Sequence, residues 1–239
     1  GSGKTTLMNM IAGIYFPDSG QIFIDGKEGT TGLRIFERLA TRPDLTILTL
    51  PEEKRKDPEA RKEAIHAADI AVLCLPDAAA KESVALAEGS RARILDTSTA
   101  HRIAPGWAYG FAELSQAHRD GIINGKRVAV PGCHASGFVS IVTPLTIAGL
   151  LPKDTPVTCF SLTGYSGGGK KMIAQYEGEE KTEVMGSPAI YGVMQNHKHL
   201  PEMKTICGLD TTPVFSPIVD VSILEINSST IRSTHSPLP

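Results

Sequence analysis

Short apolar runs alternate with longer amphipathic stretches along most of the chain. Ile22-Phe23-Ile24-Asp25 reads as a strand, a turn spaced by Gly26, Gly29 and Gly32 follows, and residues 33–39 read as a helix. Further strand-like runs fall at residues 45–50, 69–75 and 93–96, separated by stretches rich in Ala, Glu, Arg and Lys. That alternation predicts a parallel sheet with helices on its faces. Val128-Ala129-Val130 is another strand, which enters a Pro131-Gly132 turn and then an apolar helix from about Ser136. The longest apolar stretch, residues 138–151, is interrupted by Ser140, Thr143 and Pro144 and is too short to span a bilayer.

Composition narrows the class. With 239 residues, 41% hydrophobic and 21% charged, the chain has the make-up of one or two globular domains. A disordered tail, a collagen-like fibre and a low-complexity scaffold are excluded. Twenty-four basic against 26 acidic side chains give a net charge of −2, so no basic excess exists to hold a nucleic-acid backbone. The start, Gly1-Ser2-Gly3-Lys4, has no charged-then-apolar layout, and a cytoplasmic protein is expected. Cys74, Cys133, Cys159 and Cys207 lie far apart without a C-x-x-C pair, which argues for free thiols over a disulfide framework or a zinc site.

A seam lies near residue 20. Gly3-Lys4-Thr5 has the ending of a phosphate-binding P-loop, but the first glycine of that motif and the strand that launches it would have to precede residue 1. A helical run over residues 7–14 and Phe16-Pro17-Asp18-Ser19-Gly20 follow. Through Ile24-Asp25-Gly26 this segment resembles the start of an ATP-binding-cassette ATPase, without that family's later signature or its magnesium-binding strand. It reads as an appendage or fusion scar, and Lys4 is expected to hold no phosphate.

From residue 22 a second pattern begins. Strand, glycine turn and helix suit a dinucleotide pyrophosphate, because glycines let the backbone approach and the helix N-terminus carries partial positive charge. About twenty residues on, Pro51-Glu52-Glu53-Lys54-Arg55-Lys56 leaves the cofactor open. Glu52 or Glu53 would suit the ribose of NAD, Lys54 and Arg55 the 2′-phosphate of NADP, and a solvated charge run would explain all of them.

Two further segments carry chemistry. Cys133 stands at the head of the apolar helix, where a helix N-terminus favours thiolate over thiol; the other three cysteines sit in apolar runs and read as core. His197-Lys198-His199-Leu200-Pro201-Glu202 packs two imidazoles, a lysine and a carboxylate into six residues. One imidazole could exchange a proton with the thiol while Glu202 orients it and raises its pKa. A metal site on the histidine pair lacks a third ligand, and a solvated loop is the plain alternative.

The ordered segments Phe23-Ile24-Asp25-Gly26 with Gly29-Thr30-Thr31-Gly32-Leu33, Cys74-Leu75-Pro76-Asp77 and Asp96-Thr97-Ser98-Thr99-Ala100-His101-Arg102 carry a resemblance. Tyr109-Gly110, Pro131-Gly132-Cys133, Gly164-Tyr165-Ser166-Gly167-Gly168-Gly169-Lys170, Tyr191-Gly192 and the His197–Glu202 run extend it. Over about residues 22–217 the chain resembles the N-acetyl-gamma-glutamyl-phosphate reductases of the shorter bacterial type. Two departures stand out. His134-Ala135-Ser136 replaces the Tyr-Pro-Thr common in that family, and residues 219–239 do not read like its closing strands.

The resemblance implies a Rossmann-like NAD(P)-binding domain over residues 21–130 and a mixed α/β catalytic and dimerisation domain of the semialdehyde-dehydrogenase type over residues 131–239. The second is expected to be incomplete at its C-terminus, and residues 1–20 form the appendage. It implies NADPH-dependent reduction of N-acetyl-glutamyl phosphate to the semialdehyde, in arginine biosynthesis, through a thioester on Cys133 with His199 as acid/base and Glu202 beside it. Arg102, His197 and Ser166 would hold the substrate; Gly26, Gly29, Thr30, Thr31, Gly32, Pro76 and Gly167 would hold NADP, with NAD the lesser choice. A homo-oligomer without metal, membrane or nucleic-acid partner is expected. An aspartate-semialdehyde dehydrogenase-like enzyme, a transporter ATPase fragment and an inactive remnant are the competing readings.

Overall fold

The computed structural model describes residues 20–223 apart from Glu28, Glu180 and Ser222; the P-loop-like segment, its expected helix over residues 7–14, Lys4 and the tail beyond residue 223 lie outside the described residues. Strands β1 (Gly20–Asp25), β2 (Leu45–Leu48), β3 (Ile70–Leu73), β4 (Arg93–Asp96), β5 (Ala108–Tyr109) and β6 (Arg127–Ala129) form one sheet in the order β2-β1-β3-β4-β6-β5. Every pairing in it is parallel. Helices α1 (Thr30–Leu39), α2 (Pro58–Ala67), α3 (Asp77–Leu86) and α4 (Gln116–Asn124) alternate with these strands along the chain.

A parallel sheet covered on both sides needs strands that are apolar at odd and even positions alike. Ile22, Ile24, Val72, Leu95 and Val128 fill one face with Ile35 and Leu39 of α1. Phe23, Ala71, Leu73 and Ile94 fill the other with Ile65 of α2 and Val84 of α3. At the edge of the charge run, the Asp57 side chain accepts from the Glu59 N–H and Pro58 sits in the first helical turn, so α2 is capped as it starts.

Several boundaries differ from the expected ones. β3 stops at Leu73, paired with Asp25 at the end of β1, while β2 leaves β1 earlier, at Leu48 opposite Phe23. Cys74 therefore lies just past its strand instead of inside it. α1 begins at Thr30, three residues early, so Thr30, Thr31 and Gly32 are its first turn.

Beyond β6 the chain enters α5 (Cys133–Ile147), then β7 (Thr158–Thr163), α6 (Gly169–Glu177), β8 (Ala189–Ile190), α7 (Leu200–Cys207) and β9 (Val214–Val219). β9 lies between β7, which it pairs in parallel, and β8, which runs antiparallel. Val139 and Phe138 of α5, Met203 and Leu200 of α7 and Phe215 of β9 make the core of this part, and Tyr109 and Leu114 from the end of the first sheet enter it. On the opposite face of the small sheet, Phe160 (73% exposed among the described residues), Leu162 and Val214 point outward from alternate positions.

Candidate functional site

Two clusters line up with the predicted chemistry, one at the β1–α1 turn and one where β6 meets α5. At the first, a cleft of about 530 Å³ opens past the ends of β1 and β2, walled by Gly26, Lys27, Glu52, Arg55, Lys56 and Leu75 among others. Gly26 has φ of 82°, and a Cβ there would stand 2.5 Å from the Cys74 carbonyl oxygen, so the turn admits only glycine. Gly29 is the N-cap of α1, with no side chain capping the helix and no acid in the first turn. Such a helix start fits an anion, as a pyrophosphate requires.

The charge run resolves differently from expectation. Glu52–Lys54 is a single 3-10 turn that puts Arg55 and Lys56 on the cleft wall, while Lys54 is not among the lining residues. Arg55 lies 3.2 Å from Glu52 at the same wall. Pro76, the N-cap of α3, follows Leu75. Ser166 and Gly167 are elsewhere, in the 3-10 turn Tyr165–Gly168 that follows β7, and do not line this cleft.

At the second cluster, α5 starts at Cys133 itself, three residues before the expected helix. Gly132 is the N-cap, again without a side-chain cap, so the thiol occupies the first helical position. A Cβ on Gly132 would stand 2.5 Å from Arg102 Nη1 and 2.6 Å from His199 Cδ2. The imidazole therefore packs directly on the backbone that carries the nucleophile.

Glu202 does not orient His199. Its carboxylate is buried and accepts from Tyr109 Oη at 2.8 Å, from the Gly132 N–H at 2.8 Å and from Arg102 Nη1 at 3.0 Å. Arg102 in turn donates Nε to the Val130 carbonyl at 2.9 Å and Nη2 to that of Thr97 at 3.3 Å. The guanidinium proposed for substrate is thus committed inside the protein. The reason is burial: each is at most 9% exposed, and a buried charge needs a counter-charge and hydrogen bonds close by. His101 and Ser98, both on the Asp96 carboxylate, hold the loop that delivers Arg102.

The expected rise in the His199 pKa is also reversed. Burial, reinforced by the positive charge of Arg102, drives it down to about 2, so the ring is neutral and, buried as it is, resists protonation. Its Nδ1 is buried and has no hydrogen-bond partner among the described residues. His197, 4.8 Å away between ring centroids, accepts the His199 backbone N–H at 3.2 Å, and burial lowers its pKa too.

His134 was missed. It joins the two predicted imidazoles, with centroids 5.7 Å from His199 and 5.9 Å from His197. The only signal in the chain was its place next to Cys133. The other thiols are poor nucleophiles: burial pushes Cys74 up to about 12 and Cys207 to about 11, and raises Cys159. Among the described residues no group of three or more His, Cys, Asp or Glu side chains is arranged to hold a metal, and no helix is long and apolar enough to cross a membrane.

Comparison with known proteins bears out the resemblance. The N-acetyl-gamma-glutamyl-phosphate reductase of Rhizobium meliloti (strain 1021) is 50% identical over 201 residues, 83% of this chain and 65% of that protein. That of Chelativorans sp. (strain BNC1) is 50% identical over 199 residues, 83% of this chain and 64% of that one. The chain thus spans less than two thirds of the length of these relatives. The family model for the semialdehyde dehydrogenase dimerisation domain matches residues 133–223, and that for ABC transporters matches residues 1–107, in keeping with the likeness of the N-terminal segment. Among solved structures, aspartate semialdehyde dehydrogenase II from Vibrio cholerae aligns with a TM-score of 0.60 at 15% identity, over 85% of this chain and 71% of that one. The Candida albicans aspartate semialdehyde dehydrogenase with NADP aligns with a TM-score of 0.59 at 14% identity, over 84% of this chain and 68% of that one. The fold is that of the semialdehyde dehydrogenases.

Proposed function

On the premise of that kinship, we propose that the chain carries the reduction of N-acetyl-glutamyl phosphate to its semialdehyde with release of phosphate, a step of arginine biosynthesis. Cys133 attacks the acyl carbon; the carbon–sulfur bond forms, the bond to the phosphate oxygen breaks, and a thioester remains. NADPH, when bound, supplies the hydride that takes the thioester to the aldehyde oxidation state. The head of the helix favours thiolate at Cys133 for the attack. The acid/base part of His199 rests on the resemblance and on its packing against Gly132, and the thiolate leaves again as the aldehyde forms. His197 faces the substrate's anionic end, while three of the five N–H donors of Arg102 are engaged inside the protein.

One observation carries this reading: a cysteine at the first position of an uncapped helix, with a neutral, buried imidazole packed on the residue before it. The orphaned Nδ1 of His199 adds to it, since a buried polar atom left without a partner suits a reacting group. For the cofactor, Arg55 and Lys56 on the cleft wall favour the 2′-phosphate of NADP over the bare ribose of NAD. Ser166 and Gly167 lie outside that cleft, so a part for them in holding substrate or cofactor rests on the resemblance alone. The apolar face of the small sheet, exposed among the described residues, supports self-association, and light scattering across a dilution series tests it.

The deciding experiment mixes the 239-residue protein with N-acetyl-glutamate semialdehyde, phosphate and NADP and follows the reduced cofactor by absorbance. Phosphate-dependent reduction is expected. Reduction with aspartate semialdehyde but not with the acetylated substrate would favour the aspartate-semialdehyde dehydrogenase reading.

A further inference from the structure

The histidine next to the nucleophile takes no part in the chemistry above, yet both of its ring nitrogens are engaged. His134 is the second residue of α5 and 7% exposed. Its Nδ1 lies 2.6 Å from the Ser161 hydroxyl on β7, and its Nε2 lies 2.9 Å from the Tyr191 hydroxyl just after β8. Phe215 closes the pocket from β9, with its ring centroid 5.2 Å from that of the imidazole.

The arithmetic of protons constrains this chain of groups. Burial and the neighbouring His197 hold the His134 pKa down to about 4, so at neutral pH the ring has one N–H and one lone pair. Set between two hydroxyls, it must accept from one and donate to the other. If Ser161 donates to Nδ1, then Nε2–H donates to the Tyr191 oxygen. The phenol keeps its proton, because burial and the charge of Cys133 push its pKa up to about 12. That proton is then free to point away from His134, and the donation it receives makes the phenol a stronger donor. In the opposite arrangement Tyr191 spends its proton on His134.

Resting on the thioester reading above, we propose that His134 is a positioning residue: backed by Ser161, it holds the Tyr191 phenol as a hydrogen-bond donor to the Cys133 sulfur and to the oxygen that gains charge when the sulfur attacks. The oxygen of Tyr191 sits one hydrogen bond from the residue that follows Cys133 in the same helical turn. A donor fixed in advance at a developing charge accelerates the step without having to reorganise.

The test uses the full chain and needs no substrate. The rate of Cys133 alkylation by iodoacetamide at pH 7 is read by peptide mass spectrometry in wild type, His134→Leu, His134→Gln, Tyr191→Phe and the His134→Leu/Tyr191→Phe double variant. A lost hydrogen bond to the thiolate lowers the thiolate fraction more than it raises intrinsic nucleophilicity, so each single loss slows alkylation by about three- to tenfold. The double variant is no slower than either single one, because the same donor is lost once. His134→Gln restores most of the rate, since its amide N–H can still donate to the phenolic oxygen. Wild-type rates in His134→Leu, additive losses in the double variant, or a folded His134→Gln as slow as His134→Leu would each overturn the proposal. Should His134→Leu fail to fold, the pair His134→Gln and His134→Asn decides: Gln, which reaches Tyr191, must be faster than Asn, which reaches Ser161, and equality refutes the role. Wild-type protein that shows this alkylation pattern but no turnover would refute the reaction and leave the positioning role standing. Turnover that is unchanged in His134→Leu would refute the positioning role alone.

Discussion

Glu202→Gln is the most incisive single change. The replacement is nearly isosteric, so packing is kept and the charge alone is lost. Tyr109 and the Gly132 N–H both bind Oε1, and an amide oxygen placed there can still accept from them. Arg102 binds Oε2, where the amide would present its NH₂ group, donor against donor. The guanidinium side chain, 8% exposed, is then left without a counter-charge. Removing one partner of a buried pair costs about 3–5 kcal/mol, a large part of the ~5–15 kcal/mol that holds a domain together. A chain of this size loses about 2–4 °C of melting temperature per kcal/mol, so thermal unfolding should come some 6–20 °C earlier. Urea unfolding followed by circular dichroism measures the same loss as a fall in midpoint at constant slope. The control is Glu37→Gln, whose pairing with Arg34 spans 3.7 Å on the surface and which should change stability by under ~0.5 kcal/mol. Replacing Arg102 by Met in the Glu202→Gln background should recover part of the loss, because the stranded charge is gone. A Glu202→Gln variant within about 1 kcal/mol of wild type would show that the pair is not the structural tie described here.

The other predictions concern chemistry. Cys133→Ser should abolish turnover and leave NADP affinity nearly intact, as titration of cofactor fluorescence would show; iodoacetamide should label Cys133 well before Cys74, Cys159 or Cys207. His199→Gln should lower kcat by about 10²–10⁴-fold, and His197→Gln should mainly raise KM. Because the folded His199 pKa lies near 2, the rate of semialdehyde oxidation should show no limb near pH 6.5 that vanishes in His199→Gln. Stability should nevertheless fall as pH drops below about 6.5, since unfolded imidazoles take up protons that buried His134 and His199 refuse; by pH 5 the urea midpoint should reflect a loss on the order of 1–2 kcal/mol for each. Arg55→Ala with Lys56→Ala should weaken NADP more than NAD, and an equal loss for both cofactors would remove the 2′-phosphate from that wall.

What the chain alone made legible is whatever depends on neighbours in sequence. The alternation of apolar runs with amphipathic stretches, the glycine-spaced turn after β1 and the Pro131-Gly132 step before Cys133 are local patterns, and strand pairing, the 82° φ of Gly26 and the cysteine-headed helix follow from them. The cysteine and the histidine pair were readable for the same reason. Partners and charge states were not. Glu202 stands three residues from His199 in the chain but bonds to Arg102, 100 residues away, and His134 finds Ser161 and Tyr191 across 27 and 57 residues. Whether Lys54 or Lys56 faces the cleft turned on the phase of one 3-10 turn. The His199 pKa went in the opposite direction to the one its neighbour Glu202 suggested, because desolvation is set by what packs around a ring in space. Sequence names the groups able to do the chemistry; burial and long-range contact, which exist only in the folded chain, decide which of them are free to do it.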